Sequence, residues 1–499
     1  MKLGKLLAEV RLCQPLSARH RDLEVAGLEY DSRRIESGYL FFAFEGANED
    51  GRRFAQDALA NGAVAVVSDS PRPVGFLGPW IEVEHARRAM SAVSRAFYHR
   101  PDERVHFTGI TGTNGKTTTS YLIEAILREA GKITGVVGTI EYRIAGKSRR
   151  AVNTTPESLD LARLASAVAD AGGTHLISEV SSHALALGRV DGFFFHTAVL
   201  TNVSRDHLDF HQTMESYVAA KKLLFVPKNG PAPKWAVLNA DDEAAAGMEP
   251  PAPTNVIWYS TENEAALRAE NIRTGFDGLH FDLVWKQQRQ PITSPMVGMF
   301  NVSNILAAVA VGISYSLPLD VIARGIGSCA AVPGRFERID CGQPFLVVVD
   351  YAHTDDALRN VITTARALAT ESKGRVITLF GCGGDRDRTK RPLMGMAAAE
   401  LSDFVVLTSD NPRSEDPLAI MNDAMVGLGK FDTPQLAEPD RAKAIRAALN
   451  QARAGDVVLL AGKGHETYQI LKNETIHFDD RETARGVLNS LGYKESKQG

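Results

Sequence analysis

An apolar-alternating run from Val105 to Ile110 leads into Thr111-Gly112-Thr113-Asn114-Gly115-Lys116-Thr117-Thr118-Thr119, and Tyr121 to Leu127 continues with helical composition. Strand, glycine turn and helix in that order make a phosphate cradle, so the chain around it must be layered α/β. Glycines let backbone N–H groups approach phosphate oxygens, and the helix N-terminus adds the positive end of its dipole. Lys116 supplies a point charge and the Thr117 hydroxyl can hold Mg²⁺. The spacing departs from the common phosphate-loop pattern, because Gly109 lies six residues before Gly115 instead of five. A plain turn between core elements would not need Lys-Thr at the helix entry, and nucleotide phosphate binding is the expectation.

At 499 residues the chain exceeds one ordinary core, and about 150 residues per domain suggests three domains. With 44% hydrophobic and 23% charged residues it reads as a soluble globular protein. A formal charge of -4 offers no basic field for nucleic acid, and no apolar stretch is long enough for membrane insertion. The start, Met1-Lys2-Leu3-Gly4-Lys5-Leu6-Leu7-Ala8-Glu9-Val10-Arg11, carries charges too early for a secretory signal core. A cytoplasmic location is therefore the default, and a monomer is the expectation without a sequence signal for it. Cys13, Cys329, Cys341 and Cys382 lack metal-ligand spacing, which argues against disulfides and structural zinc.

Residues 1–102 alternate strand-like and helix-like runs, such as Tyr39 to Phe44, Arg53 to Ala60 and Ala63 to Val67. Asp31-Ser32-Arg33-Arg34 sits in a turn that reads equally as a ligand contact or a plain surface turn. Pro101-Asp102-Glu103 reads as a linker. Residues 103–331 carry the phosphate loop and further strands at Ile133 to Val137, His175 to Ser178, Thr197 to Leu200 and Trp235 to Leu238. Apolar runs separated by helical segments mark a parallel sheet covered on both faces, which binds ligands beyond the carboxyl ends of its strands. Glu179, Asn202 with Arg205-Asp206-His207, and Asn239 with Asp241 fall there. Leu267 to Met299 turns strand-rich and polar, an antiparallel excursion.

Residues 332–499 repeat the logic, with strands at Phe345 to Val349, Val376 to Phe380, Phe404 to Leu407 and Val457 to Leu460. Their ends carry Asp350-Tyr351-Ala352-His353, Gly381 to Arg388, Asp410-Asn411-Pro412-Arg413 and Gly462-Lys463-Gly464-His465-Glu466. Four polar clusters on one rim make a ligand-binding edge.

Mg²⁺ takes a few carboxylate or hydroxyl oxygens plus water, and Thr117 with Glu179 is the natural pair. His207 reads as a structural hydrogen-bonding residue or a ligand. Periodicity cannot choose between Lys221, flanked by Tyr217 and Leu224, and Lys222, flanked by Val218 and Phe225. Both lysines also fit stems lying on apolar surface with their ends in water. On the rim, Arg386, Arg388 and Arg413 suit carboxylates or phosphates, and Asp410 and Glu466 suit an ammonium. An amino acid carries both groups.

Thr111 to Thr118, Glu179-Val180-Ser181-Ser182-His183, Thr201-Asn202-Val203-Ser204-Arg205-Asp206-His207-Leu208-Asp209, Asn239-Ala240-Asp241-Asp242 and Pro333-Gly334-Arg335-Phe336-Glu337 together resemble the Mur ligases of peptidoglycan synthesis. Asn153-Thr154-Thr155-Pro156, Asp350-Tyr351-Ala352-His353-Thr354 and Gly462 to Glu466 are similar to the branch adding the third peptide residue. Asp410-Asn411-Pro412-Arg413 is similar to members using meso-diaminopimelate. The resemblance implies an α/β fold of three domains: a small N-terminal α/β UDP-binding domain, a central P-loop ATPase domain with a mostly parallel sheet, and a C-terminal Rossmann-like domain.

It further implies an ATP- and Mg²⁺-dependent amide ligase joining meso-diaminopimelate to UDP-N-acetylmuramoyl-L-alanyl-D-glutamate through an acyl phosphate. Ser32, Asn153, Thr154, Thr155, Ser181 and Arg189 would hold the UDP-sugar peptide. Gly112, Thr113, Asn114, Gly115, Lys116, Thr117 and Thr118 would hold ATP phosphates, and Asn301, Arg335 and Asp350 the rest of the nucleotide. Thr117, Glu179 and His207 would serve Mg²⁺. Lys221 is the position that the family carbamylates to N6-carboxylysine, an oxygen donor near metal. Arg386, Asp410, Asn411, Pro412, Arg413, Gly462 and Glu466 would hold diaminopimelate, and Lys116, Lys221 and His207 would be catalytic. One departure is Leu187, where related enzymes often carry glutamine, and it removes one polar contact to the UDP-sugar peptide. A lysine-adding ligase and a nucleotide switch are the alternatives; the Arg413 motif argues against the first and the polar rim against the second.

Overall fold

The computed structural model describes residues 1–46, 49–275, 277–329 and 332–493. Among them the chain forms sheets of four, eleven and six strands and one two-stranded ribbon. The first sheet takes Gly27–Glu29, Tyr39–Ala43, Ala65–Ser68 and Trp80–Glu82 in chain order, all parallel. Alternation splits its strands between two cores: Leu40 and Phe42 pack with Leu3, Val67 and Met90, while Phe41 and Val66 pack with Phe76.

In the eleven-stranded sheet His106–Thr111 is central, between His175–Glu179 and Thr197–Leu200. Thr134–Val137 lies beyond the former; Trp235–Asn239, Asn255–Ser260 and Leu267–Gly275 follow the latter, and these pairings are parallel. The expected antiparallel excursion is present, since Leu267–Gly275, Gly278–Trp285 and Gln288–Ser294 form a meander at one edge. The other edge carries a hairpin, Glu141–Ile144 with Lys147–Arg150, that the sequence reading missed. Only Tyr142 of its eight strand residues is buried, so no apolar pattern announces it. Helix Lys116–Glu129 buries Leu122, Ile123, Ile126 and Leu127 and packs against helices Met299–Ser314 and Leu319–Ser328. The approach is close enough that a Cβ on Gly325 would lie 2.5 Å from Ile126 Cα.

The six-stranded sheet runs Glu337–Ile339, Leu346–Asp350, Val457–Ala461, Val376–Cys382, Phe404–Ser409, Gln435–Ala437, parallel except for its first pair. Leu346–Asp350 and Val457–Ala461 are buried throughout, as strands covered on both faces must be. Their carboxyl ends face those of the eleven-stranded sheet across a cleft.

Between the first sheet and the second, the segment read as a linker, Pro101-Asp102-Glu103, is packed rather than free. Pro101–Arg104 is a helical turn, and buried Asp102 pairs with Arg95 at 2.8 Å and accepts from the Phe194 N–H at 2.9 Å. The first sheet is also tied to the second by helix Ser158–Asp170, whose Asp160 accepts from Tyr30 Oη at 2.5 Å and whose Arg163 donates to Leu28 O at 2.6 Å. The expected junction at residue 331 lies outside the described residues.

Candidate active site

The glycine turn leaves the central strand at Thr111 and enters the helix at Lys116. Gly112 has φ +146° and Gly115 φ +84°. A Cβ on Gly112 would meet Thr201 Oγ1 at 1.9 Å, and one on Gly115 would meet Asn304 Oδ1 at 2.2 Å. The turn is braced from the next strand end, where Asn202 O and Oδ1 accept from the N–H groups of Thr113 and Asn114 at 2.8 and 2.9 Å. Lys116 Nζ donates to Gly112 O and Thr113 O, both at 2.9 Å, curling over the turn. Gly115→Ala combines a left-handed backbone with that clash, and we expect it to weaken ATP binding at least ~10-fold. Equilibrium titration with ATP checks this against the parent protein.

Thr117 Oγ1 donates to Glu179 Oε2 at 3.0 Å. The same buried carboxylate accepts from Thr139, through N–H at 3.0 Å and Oγ1 at 2.9 Å. Arg335 reaches over from the third sheet's side and donates to Thr117 Oγ1 at 3.2 Å. Among the described residues no group of three or more His, Cys, Asp and Glu side chains forms a preassembled metal cage. Mg²⁺ needs none, since it keeps waters and takes phosphate oxygens with one or two protein oxygens. The adjacent Thr117 hydroxyl and Glu179 carboxylate fit that requirement.

His207 is half-buried, in the left-handed region at φ +54°, with its ring 4.7 Å from that of His183. Burial, with the charges of Lys390 and Lys116, holds its imidazole below the ordinary range despite Asp206 beside it. Asp206 is itself buried. Burial alone would raise its carboxyl, but His207, His353 and Lys390 together hold it low.

The structure decides between the two lysines. Lys221 is 1% exposed with Nζ 4.3 Å from the centroid of the Tyr217 ring, while Lys222 is exposed. The surface reading thus fails for Lys221 and holds for Lys222. Tyr217 Oη in turn meets Thr113 Oγ1 at 3.0 Å, which places Lys221 beneath the phosphate turn. Burial, reinforced by the Lys116 charge, holds the Lys221 amine well below its usual range.

Asn301 accepts from Asn304 Nδ2 at 3.0 Å, so it stands one hydrogen bond from the residue that packs on Gly115. Asp350 accepts from the N–H groups of Phe336 and Ala352 at 2.7 and 2.8 Å, and Arg335 stacks on Tyr351 at 4.7 Å. Asp356 crosses the cleft, accepting from Asn114 Nδ2 and Ser204 Oγ, each at 2.9 Å. Asp206 pairs with Lys390, and Arg205 donates to Thr389 Oγ1 at 2.8 Å. The third sheet's body is therefore already latched onto the phosphate turn.

On the opposite flank Thr155 Oγ1 donates to Glu179 O at 2.9 Å and accepts from the Ser181 N–H at 3.0 Å. Arg189 donates to Thr155 O at 3.0 Å and pairs with Glu157 at 3.0 Å. Thr154 Oγ1 lies 3.1 Å from Thr139 Oγ1, and the Asn153 N–H donates to Tyr142 Oη at 3.2 Å. Thr154, Thr155, Ser181 and Arg189 thus form one cluster, with Asn153 adjoining it through the backbone. Ser32 is apart from it on the first sheet's side, where its carbonyl accepts from Asn61 at 3.1 Å.

Arg386, Asp410, Asn411, Arg413, Gly462 and Glu466 line one cleft of about 230 Å³, with Asp206 and His207 on its other wall. Arg388 does not join them. It pairs with Asp423 at 3.0 Å beside Arg391, and the rim reading is corrected there. Sequence reasoning also passed over Lys463. Its side chain is 0% exposed and Nζ reaches Glu466 Oε2 at 3.1 Å, Asn411 Oδ1 at 3.2 Å and Asp410 Oδ1 at 3.4 Å. The available signal was a lysine between two glycines at the end of a wholly apolar strand, where a solvated side chain has no obvious exit.

Three domain models match in order: "Mur ligase family, catalytic domain" over residues 24–98, "Mur ligase middle domain" over 110–312, and "Mur ligase, glutamate ligase domain" over 334–464. A UDP-N-acetylmuramoyl-L-alanyl-D-glutamate--2,6-diaminopimelate ligase of Solibacter usitatus is 60% identical over 497 residues, covering 100% of both chains. One of the same description from Bacillus licheniformis is 44% identical, covering 98% of this chain and 100% of its own. A solved structure of a ligase so described aligns with a TM-score of 0.69 at 33% identity, covering 99% of this chain and 100% of that one. With the phosphate turn, the facing rim and three domains matched in order along its length, the chain belongs to the Mur ligase family.

Proposed function

We propose that this ligase joins meso-diaminopimelate to UDP-N-acetylmuramoyl-L-alanyl-D-glutamate at the expense of ATP, making a peptidoglycan precursor. The single cleft that sets Asp206 and His207 of the phosphate-turn side against Arg386, Asp410, Arg413 and Glu466 carries this reading. A site for nucleotide alone would not need the second wall.

A carboxylate is a poor electrophile, and the chemistry needs two steps. A γ-carboxylate oxygen of the D-glutamate attacks the terminal phosphorus of ATP, and ADP leaves. The amine of diaminopimelate then attacks the acyl carbon, the C–O bond to phosphate breaks, and the amine loses a proton. The chain's part is positioning and charge neutralisation. The turn from Gly112 to Thr118 cradles the phosphates with Lys116, and Asn301, Arg335 and Asp350 hold the remainder of the nucleotide. Mg²⁺, when bound, neutralises phosphate charge. Thr117, Glu179, His207 and a carbamylated Lys221 would hold it. Ser32, Asn153, Thr154, Thr155, Ser181 and Arg189 orient the UDP-sugar peptide, with Leu187 making no polar contact to it. Arg386, Asp410, Asn411, Pro412, Arg413, Gly462 and Glu466 seat diaminopimelate.

Domain limits of 1–102, 103–331 and 332–499, a monomeric state and a cytoplasmic location complete the proposal. No described helix is long and apolar enough to cross a membrane. Incubation with ATP, Mg²⁺, the UDP-sugar dipeptide and meso-diaminopimelate is expected to yield a UDP-sugar heavier by one diaminopimelate residue in the mass spectrum. Unchanged UDP-sugar contradicts the reading.

A further inference from the structure

Among residues without an assigned role, Lys463 has the most unusual surroundings. It leaves the carboxyl end of the wholly buried strand Val457–Ala461, one residue after Gly462, whose φ of +114° turns the chain across the rim. A Cβ on Gly462 would lie 3.1 Å from Asp410 Oδ2, so the turn runs directly over that carboxylate. The Lys463 ammonium is 0% exposed, and a buried cation needs compensating acceptors. It has three, and all belong to residues of the amino-acid rim: Asp410 Oδ1, Asn411 Oδ1 and Glu466 Oε2. Asn411 is itself pinned, donating to Glu466 Oε2 at 2.9 Å and accepting from the Ile470 N–H at 2.9 Å.

The contacts divide the carboxylate oxygens. Lys463 takes one oxygen of Asp410 and one of Glu466, which leaves Asp410 Oδ2 and Glu466 Oε1 for another cation; Tyr468 Oη is 3.5 Å from the latter. Two carboxylates and one ammonium sum to a net charge of -1, which matches one incoming ammonium. Without Lys463, Asp410 Oδ1 and Glu466 Oε2 lose the cation that bridges them and holds the two carboxylates in one fixed arrangement. We propose that Lys463 is a positioning residue for the ammonium of the amino-acid substrate, bridging Asp410 and Glu466 so that one oxygen of each is turned to the ligand, and setting the pocket to accept a single cation. The assignment rests on the reading of this rim as the diaminopimelate site.

Lys463→Met and Lys463→Ala test it, with KM measured separately for meso-diaminopimelate, ATP and the UDP-sugar dipeptide. Acyl phosphate formation is measured without amino acid, as hydroxamate trapped by hydroxylamine. In both variants KM for diaminopimelate is expected to rise at least ~30-fold, with the other two constants and hydroxamate yield within about 2-fold of the parent. Adding n-propylammonium, which replaces the missing ammonium arm in Lys463→Ala, is expected to recover most of that loss, while n-propanol recovers none. An unchanged KM for diaminopimelate overturns the proposal, as does equal rescue by propanol, which would make Lys463 a space-filler. Joint loss of all three affinities and of thermal stability in both variants makes it a folding residue and overturns the proposal too. Absence of hydroxamate in the parent protein would instead overturn the ligase reading on which the assignment stands.

Discussion

Arg413→Ala is expected to raise KM for meso-diaminopimelate by ~10²–10³-fold while leaving the affinity for ATP within about 2-fold. Arg413 is placed with care: its backbone adopts φ +52°, its N–H donates to Ile470 O at 3.1 Å, and Nη1 donates to Gly384 O at 2.7 Å. The strained backbone and the carbonyl contact hold the guanidinium as one wall of the cleft. A guanidinium fork pairs with a carboxylate in bidentate fashion. In the proposed site the distal carboxylate of diaminopimelate would supply that partner, and L-lysine has none. A lysine in the site would leave the half-buried guanidinium without a carboxylate, the kind of mismatch that discriminates strongly. Steady-state kinetics with each substrate varied in turn checks this. Equal losses for ATP and diaminopimelate would remove Arg413 from the amino-acid site.

The second large effect concerns Lys221. CO₂ adds to a neutral amine, not to an ammonium, and the proton released must leave. An ordinary lysine is nearly all protonated at neutral pH. Burial beneath the phosphate turn and the nearby Lys116 charge lower the amine's pKa, so the neutral form is favoured at lower pH than in a solvated lysine. Carbamylation would replace the neutral amine with a negative group beneath the phosphate turn. Enzyme freed of CO₂ and bicarbonate is therefore expected to lose most of its activity and to regain it when bicarbonate is returned. Lys221→Ala is expected to lose ~10³-fold in kcat and not to respond to bicarbonate. The exposed Lys222→Ala is expected to behave as the parent. A carbon-13 carbamate signal from labelled bicarbonate, present in the parent and absent in Lys221→Ala, checks the chemistry apart from turnover.

The legible parts of this molecule were those in which local pattern and tertiary role coincide. Buried parallel strands such as Val457–Ala461 are apolar on both faces, and they announce themselves as runs. The phosphate turn is legible because Gly112 and Gly115 adopt backbone conformations that other residues rarely take. Polar residues at strand ends follow from the layering, which is why the cleft's two walls could be read before they were seen to face each other. What stayed hidden was set by tertiary neighbours. Lys221 and Lys222 are equivalent by helical period, and only the packing of helix Met214–Lys222 under the phosphate turn separates them. Arg388 was indistinguishable from Arg386 until Asp423, 35 residues later, took it out of the cleft. For Lys463 the strand-end glycines gave a signal of burial, but its acceptors on Asp410 and Asn411, more than 50 residues away, did not show in the local sequence. Proline and charges mark Pro101-Asp102-Glu103 as a connection, but its packing, with Asp102 committed to Arg95 and Phe194, is set by tertiary neighbours.

The latch from Asp356 to Asn114 and Ser204 gives the two walls a physical connection. In the proposed reaction, a cleft bridged in this way would keep water from a reactive acyl phosphate.

Phosphate release by the purified protein, with ATP, Mg²⁺ and UDP-N-acetylmuramoyl-L-alanyl-D-glutamate, and with meso-diaminopimelate or L-lysine added in parallel, tests the central claim most directly. Sustained release is expected with diaminopimelate and little with lysine. Equal release with lysine would contradict the assignment of Arg413, and release indifferent to any amino acid would contradict the ligase itself.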